Sequence, residues 1–179
     1  MKSIYDMTLI RIIEKDMYLA YYTLDRLESI PPEYQNLVNL RTFLDGAVNM
    51  LKKKYKEGIN SLACVDTVKL NEALVLKLIP SYRAYGMFCL GQIASASQIY
   101  EELERKGWIT ESDNFNQLLC KGILLGEEKK FEEARSMFEK ARKMYKIRVE
   151  PTFYLVVSCH GNSKRYLTLF SSYPPTLLL

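Results

Sequence analysis

The sequence predicts an all-α fold made of antiparallel helix pairs, and three observations lead to that prediction. Small residues recur in register every 38 residues along the chain. Large apolar residues recur in the same register, and no strand-rich block or long linker interrupts the helical patterning. The chain has 179 residues, which corresponds to one domain or one short repeat array.

The repeat is clearest in two sets of small residues and two sets of large ones. The small sets are Ala20, Gly58, Ala96 and Ala134, and Thr8, Gly46, Ala84 and Gly122. The large sets are Met17, Tyr55, Ile93 and Phe131, and Leu24, Leu62, Tyr100 and Phe138. Small residues let two helices approach closely where they cross, and large residues fill the gaps beside the crossing. One pair cannot bury its apolar faces alone, so we expect successive pairs to stack.

Four helix pairs are expected within residues 1–150. Their approximate bounds are 2–29, 33–65, 68–106 and 113–146. Pro31 and Pro32 end the first pair, because proline lacks an N–H and disfavours helix before it. The first helix of the third pair, about 68–90, contains Pro80, and we expect this proline to kink or split the helix.

The boundary between the third and fourth pairs carries helix-end signals. Gly107 is expected to close the third pair. Thr110 and Asp113 are among the N-cap candidates for the fourth. Trp108 between them is interpreted as an apolar staple across the turn.

Residues 151–179 depart from the repeat. A first helix is expected over about 151–159, but Pro174 and Pro175 break the partner helix that the repeat predicts. We interpret this segment as an orphan helix with an irregular, poorly ordered tail. Its apolar end lacks the polar cap of a solenoid, which favours a truncated isoform of a longer array. The alternative is a tail that packs back as an irregular cap.

Composition excludes several classes of protein. The apolar runs are too short to span a bilayer. The net charge of +4 is too mild to demand nucleic acid as a partner. Four cysteines without CxxC spacing argue against a zinc finger and a disulfide scaffold, and favour a reducing, cytoplasmic location.

No motif of an enzyme or a cofactor site is present. The sequence lacks GxxxxGK[ST], GxGxxG and HExxH, so we expect neither a phosphate cradle nor a metalloprotease centre. His160, the single histidine, directly follows Cys159, and adjacent residues do not form a nucleophile and its base without special backbone geometry. The expectation is a non-catalytic chain without cofactor or metal.

The pattern resembles the tetratricopeptide repeat family over about residues 2–148. The residues that carry the resemblance best are Gly122, Phe131, Ala134, Phe138 and Ala141. The resemblance implies a right-handed solenoid whose first helices line a concave face and commonly hold a partner peptide. The family's usual period is 34 residues, so related helical-hairpin repeats with longer periods remain open.

The resemblance also selects a concave groove by column. Its candidate partner-binding residues are Tyr5, Leu9, Phe43, Met50, Tyr85, Phe88, Leu119 and Ile123. The columns that grip carboxylates in one subclass of the family hold no cation here, which argues against a chaperone-tail clamp. The remaining face is aromatic and aliphatic, which suits an apolar peptide or an amphipathic helix. The alternative is that neighbouring helices bury these side chains.

These features predict a protein–protein interaction scaffold. The alternative is a structural segment of a larger multi-subunit assembly, such as ciliary, transport or transcription machinery. An RNA-binding helical repeat is less favoured, because it would need polar, base-reading residues in the concave columns.

Overall fold

A computed structural model of the chain describes residues 2–26, 30–31, 33–70 and 72–144. All regular structure in these residues is α-helical, so the all-α prediction is confirmed for them. The eight helices are α1 (Lys2–Ile13), α2 (Met17–Asp25), α3 (Gln35–Leu51), α4 (Tyr55–Ala63), α5 (Ala73–Cys89), α6 (Ile93–Arg105), α7 (Glu111–Glu127) and α8 (Phe131–Met144). The end of the second predicted helix at 27–29 and the tail at 151–179 lie outside the described residues.

The described residues fall into two compact units, which divide between Gly86 and Met87. In the first unit, α1 packs on α2, α2 on α3, and α3 on α4. In the second unit, α6 packs on α7 and α7 on α8. Each unit therefore contains helices that pack on their neighbours in the sequence.

Every small residue of the two repeating sets is buried, from Thr8 and Ala20 to Gly122 and Ala134. The crossing of α3 and α4 shows the reason. A Cβ atom at Gly46 would lie 2.6 Å from Cγ of Leu62 and 3.1 Å from the carbonyl oxygen of Gly58. The helices α3 and α4 therefore approach closely enough to leave room only for hydrogen at Gly46.

The large residues of the repeat are buried with one exception. Met17, Tyr55 and Ile93 are 3–9% exposed, whereas Phe131 is 41% exposed. Phe131 is the first residue of α8. Its expected place in the core is a prediction that the structure corrects.

Four turns between consecutive helices share one backbone geometry. Their left-handed residues, 38 positions apart, are Lys15, Lys53, Gly91 and Lys129, with φ between 60° and 77°. In the second turn, the N–H of Lys53 donates to the carbonyl of Met50 (3.0 Å) and the N–H of Lys54 to that of Asn49 (2.8 Å). The other three turns make the same two bonds, which define a Schellman motif at the ends of α1, α3, α5 and α7.

Local side-chain bonds explain where several helices begin. Asp16 accepts a hydrogen bond from the N–H of Leu19 (2.9 Å) and caps α2. Thr110 and Asp113 form the capping box of α7, in which each side chain accepts a bond from the other's N–H. The N-cap role expected of Thr110 is confirmed.

The third predicted pair begins later than expected. Asp66 accepts a bond from the N–H of Val68 (3.1 Å), and its own N–H donates to Oδ1 of Asn39 (3.1 Å). The local bond to Val68 competes with helix formation, and the bond to the distant Asn39 holds Asp66 against α3. The chain therefore turns here, and α5 starts at Ala73. Pro80 lies inside α5, which is a single helix, so the alternative of a split helix is wrong.

Candidate partner-binding surface

Six of the eight predicted groove residues lie in the core. Their side chains are at most 5% exposed: Phe43, Met50, Tyr85, Phe88, Leu119 and Ile123. A partner can contact only atoms that solvent reaches, so these six do not form an open face. Tyr5 and Leu9 are half-buried and stay accessible on α1.

Ring contacts within the first unit explain the burial of two of these residues. The ring of Phe43 meets the ring of Tyr82 edge-on, with centroids 6.1 Å apart. Tyr85 meets Tyr55 in the same way at 6.2 Å. Tyr82 and Tyr85 of α5 thus place aromatic rings against the side of α3 and α4 where the resemblance implied an open groove.

Met50 is enclosed by glycines. A Cβ atom at Gly86 would lie 2.7 Å from Cε of Met50, and one at Gly58 would lie 3.0 Å from the same atom. The thioether therefore fits a space that exists because both positions lack a side chain. Met50 is a packing residue of the first unit.

A small pocket opens beside Tyr5. It has a volume of about 140 Å³ and lies between α1 and the start of α3, where Lys2, Tyr5, Tyr34, Asn36 and Leu37 line it. One turn further along α1 lies Leu9. The pocket and Leu9 together are the accessible part of the predicted groove, and we call them the α1 groove.

A hydrogen bond fixes the Tyr5 side chain in this pocket. Its hydroxyl donates to Oε1 of Glu72 at 2.7 Å. Burial, and then the bond to the Glu72 carboxylate, raise the pKa of Tyr5 far above its ordinary value of 10.0. Tyr5 is therefore a neutral donor at physiological pH, and it presents an apolar ring to the pocket.

The exposed side of α2 was missed by the sequence reasoning. Tyr18, Leu19 and Tyr22 are 40%, 41% and 54% exposed. The signal that could have found them is the repeat itself. The residues 38 positions later are Lys56, Glu57 and Asn60, so the first pair replaces polar residues with apolar ones.

A larger hollow in the second unit carries no assigned role. It has a volume of about 330 Å³, and lies between the first turn of α6 and the residues Leu124 and Glu127 at the end of α7. The Glu127 carboxylate opposes an anion at the α6 N-terminus. The apolar residues that line it, such as Ile93 and Leu124, do not indicate a particular ligand.

Two further residues discussed in the sequence analysis are Trp108 and His160. The backbone N–H of Trp108 donates to the carbonyl of Leu103 (2.9 Å), and Nζ of Lys106 lies 5.1 Å from the centre of its ring. Lys52, Lys53 and Lys54 are exposed in the turn between α3 and α4. His160 lies outside the described residues.

Two searches of the described part of the chain were negative. Among residues 2–26, 30–31, 33–70 and 72–144, no cluster of three or more histidine, cysteine, aspartate or glutamate side chains is placed to hold a metal ion. No helix in the same described segments combines the length and apolar character needed to cross a membrane. Comparison of the chain with known protein families, with curated proteins and with solved structures finds no match in any of the three.

Proposed function

We propose that this chain is a non-catalytic protein–protein interaction scaffold built of tetratricopeptide-like helix pairs. The α1 groove is proposed to hold an apolar peptide or an amphipathic helix of a partner protein. The observation that carries the proposal is the pocket at Tyr5, which combines an aromatic wall with accessible polar groups at Lys2 and Asn36. Tyr5 and Leu9 here are also the two half-buried members of the eight predicted groove residues, whereas the other six are buried.

The architecture supports this proposal. The same turn recurs at steps of 38 residues, and buried small residues recur at the same steps. Helical-hairpin repeats with such regular crossings commonly act as binding scaffolds, because stacking fixes the helices and leaves one face available. A right-handed solenoid with its concave face at α1 is the arrangement that we propose.

The chemistry of the groove suggests how a partner would bind. The Tyr5 ring and the Leu9 side chain offer apolar contact, and Lys2 offers a cation at the N-terminal end of α1. An amphipathic helix with an apolar stripe and an acidic residue at one end would match these groups. We propose that this scaffold acts in the cytoplasm, where Cys64, an exposed free thiol, would stay reduced.

The experiment selects ligands and then locates them. A phage-displayed library of helical peptides is panned against the intact chain, and the affinity of the enriched peptides is measured by fluorescence anisotropy. Leu9→Glu should weaken binding about tenfold or more, because a charge would enter the apolar contact. Ile13→Glu is the matched control, since it makes the same change on the same helix at a residue 65% exposed. It should leave binding within about twofold.

Two results would contradict the proposal. One is enrichment of peptides that bind the Leu9→Glu variant as tightly as the original chain. The other is that no helical peptide is enriched at all. Circular dichroism of both variants separates loss of binding from loss of fold.

A second function, a structural segment of a larger assembly, is favoured by the outer side of α1. Ile10 is 52% exposed, whereas Val48, the residue 38 positions later, is 3% exposed, and α2 packs on the helix that carries it. A neighbouring subunit that covers α1 as α2 covers α3 would remove this difference. Under that function, Ile13→Glu would reduce incorporation into a native complex, whereas Leu9→Glu would not.

A further inference from the structure

The exposed side of α2 differs chemically from the exposed sides of the other second helices. Tyr18, Leu19 and Tyr22 lie on one side of α2, opposite the buried Met17, Ala20 and Leu24. All three are at least 40% exposed. Two aromatic rings and a leucine thus face solvent together on a helix of nine residues.

The same positions in the later pairs are exposed and hydrophilic or small. In α4 they hold Lys56, Glu57 and Asn60, and in α8 they hold Glu132, Glu133 and Ser136. In α6 they hold Ala94, Ser95 and Gln98. Exposure at this side is therefore a property of the fold, whereas the apolar character belongs to the first pair alone. An apolar exception at an exposed position points to a binding surface.

Charged residues flank the apolar side of α2 in an order that is complementary to itself. Glu14 and Lys15 precede the three apolar residues, and Asp25 and Arg26 follow them, all four being exposed. Read from one end, the order is acid, base, apolar centre, acid, base. A second identical helix in the opposite direction would place a base opposite each acid.

We propose that α2 is a self-association surface on which α2 of a second copy of this chain packs antiparallel. With the two-fold axis at the level of residue 20, Tyr18 lies opposite Tyr22 of the second copy. The turn before α2, which carries Glu14 and Lys15, then lies beside Asp25 and Arg26 at the C-terminal end of α2 in the second copy. Each of these contacts occurs twice by symmetry. Parallel packing would instead place Lys15 on Lys15 and Asp25 on Asp25, which disfavours it.

Existing ion pairs leave these charges available. Asp25 accepts from Arg41 at 3.2 Å, and Glu14 pairs with Arg11 at 2.9 Å. Both pairs are solvent-exposed, and exposed pairs contribute little to stability. A carboxylate has two oxygens, so each acid can bind a second cation without losing the first.

The size of the surface sets the expected affinity. A helix of nine residues is about 14 Å long, so the pair of helices buries less than the roughly 1,200 Å² of a small stable interface. We therefore expect a reversible dimer with a dissociation constant in the micromolar range. Self-association does not depend on the α1 groove, so it can hold or fail independently of the proposed function.

Sedimentation equilibrium of the intact chain over a range of micromolar concentrations tests the proposal. The original chain should pass from monomer to dimer. The triple variant Y18K/L19E/Y22N introduces the residues that the chain already carries in α4, so it should fold and stay monomeric. Circular dichroism and thermal melting verify that the fold is retained.

A charge exchange tests the antiparallel register. Lys15→Asp alone should weaken the dimer about tenfold, because it places two carboxylates opposite each other. Asp25→Lys alone should do the same with two cations. The double variant K15D/D25K restores opposite charges and should return the dissociation constant to within about threefold of the original.

Three outcomes would overturn the proposal. The first is a chain that stays monomeric throughout the concentration range, which includes the case of an α2 surface that serves another protein. A second is association that survives Y18K/L19E/Y22N. A third is a double variant that associates no better than either single variant.

Discussion

Gly122 on α7 lies against the ring of Phe138 on α8 so closely that a methyl group at residue 122 would overlap the ring. The ring is 1% exposed, so it has no free space into which to move. Gly122→Ala should therefore destabilise the chain by about 1–3 kcal/mol through overpacking. The shift of the urea midpoint at an unchanged m-value measures this effect.

The overlap can be relieved from the other side. Phe138→Leu removes the ring atoms that a methyl group at residue 122 would meet, and it should destabilise the original chain on its own. In the Gly122→Ala background, it should cost less, with a coupling energy of at least about 0.5 kcal/mol. Additive effects would show that the helices separate without hindrance.

The left-handed lysine at the turn between α3 and α4 offers a test of backbone strain. Lys53 has a φ of 60°, which is unfavourable for a residue with a Cβ atom. Lys53→Gly should relieve that strain, whereas Lys52→Gly, at a φ of −79°, should only add flexibility. We expect the Lys53 variant to be more stable than the Lys52 variant by roughly 1 kcal/mol. Thermal melting of the Lys53→Gly and Lys52→Gly variants measures this difference. Equal melting temperatures would refute the explanation by backbone strain.

Phe43 should behave as a core residue. It is fully buried and packs edge-on against Tyr82, so Phe43→Ala should cost about 3–5 kcal/mol and leave little folded first unit. Tyr22→Ala, at a residue 54% exposed, is the control, with an expected change within about 0.5 kcal/mol. A folded Phe43→Ala variant with near-original stability would return this ring to the list of groove candidates.

Asp45 should make stability depend on pH. Burial raises its pKa above the ordinary value, and Asp25 adds to this, whereas the hydrogen bond with Tyr21 and the charge of Arg41 act against it. The folded chain therefore binds this proton more tightly than the unfolded chain, so stability falls as pH rises just above about 3.9, the ordinary aspartate pKa. Asp45→Asn should remove that fall. Melting temperatures of the two proteins across the same pH series measure the difference, and parallel curves would contradict it.

Much of the helical pattern could be predicted, because it depends on spacing. The small residues Gly46 and Gly122 mark where helices cross, and that requirement leaves a direct trace in the sequence. The later start of α5 could not be predicted, because it depends on a bond between Asp66 and the distant Asn39. The closeness of Asp66 and Asn39 results from tertiary packing, which the local sequence pattern does not reveal.

The candidate site was harder to predict for a related reason. A column of apolar residues on a first helix suits a binding groove and a core equally well, and only the neighbouring helix decides between them. For Phe43 that neighbour is Tyr82, which turns the column into core. Tyr5 stays accessible because the side chains that border its pocket include the exposed Lys2 and Tyr34 and the half-buried Asn36.

Because the same turn recurs, the four loops that contain it have equivalent backbone geometry and can replace one another. The same two bonds and one left-handed residue set the path of the backbone at Lys15, Lys53, Gly91 and Lys129, whatever the neighbouring side chains are. A protein engineer could exchange one of these loops for another without redirecting the helices that it joins. The same loop could therefore join helices in shortened, extended or reordered versions of this chain.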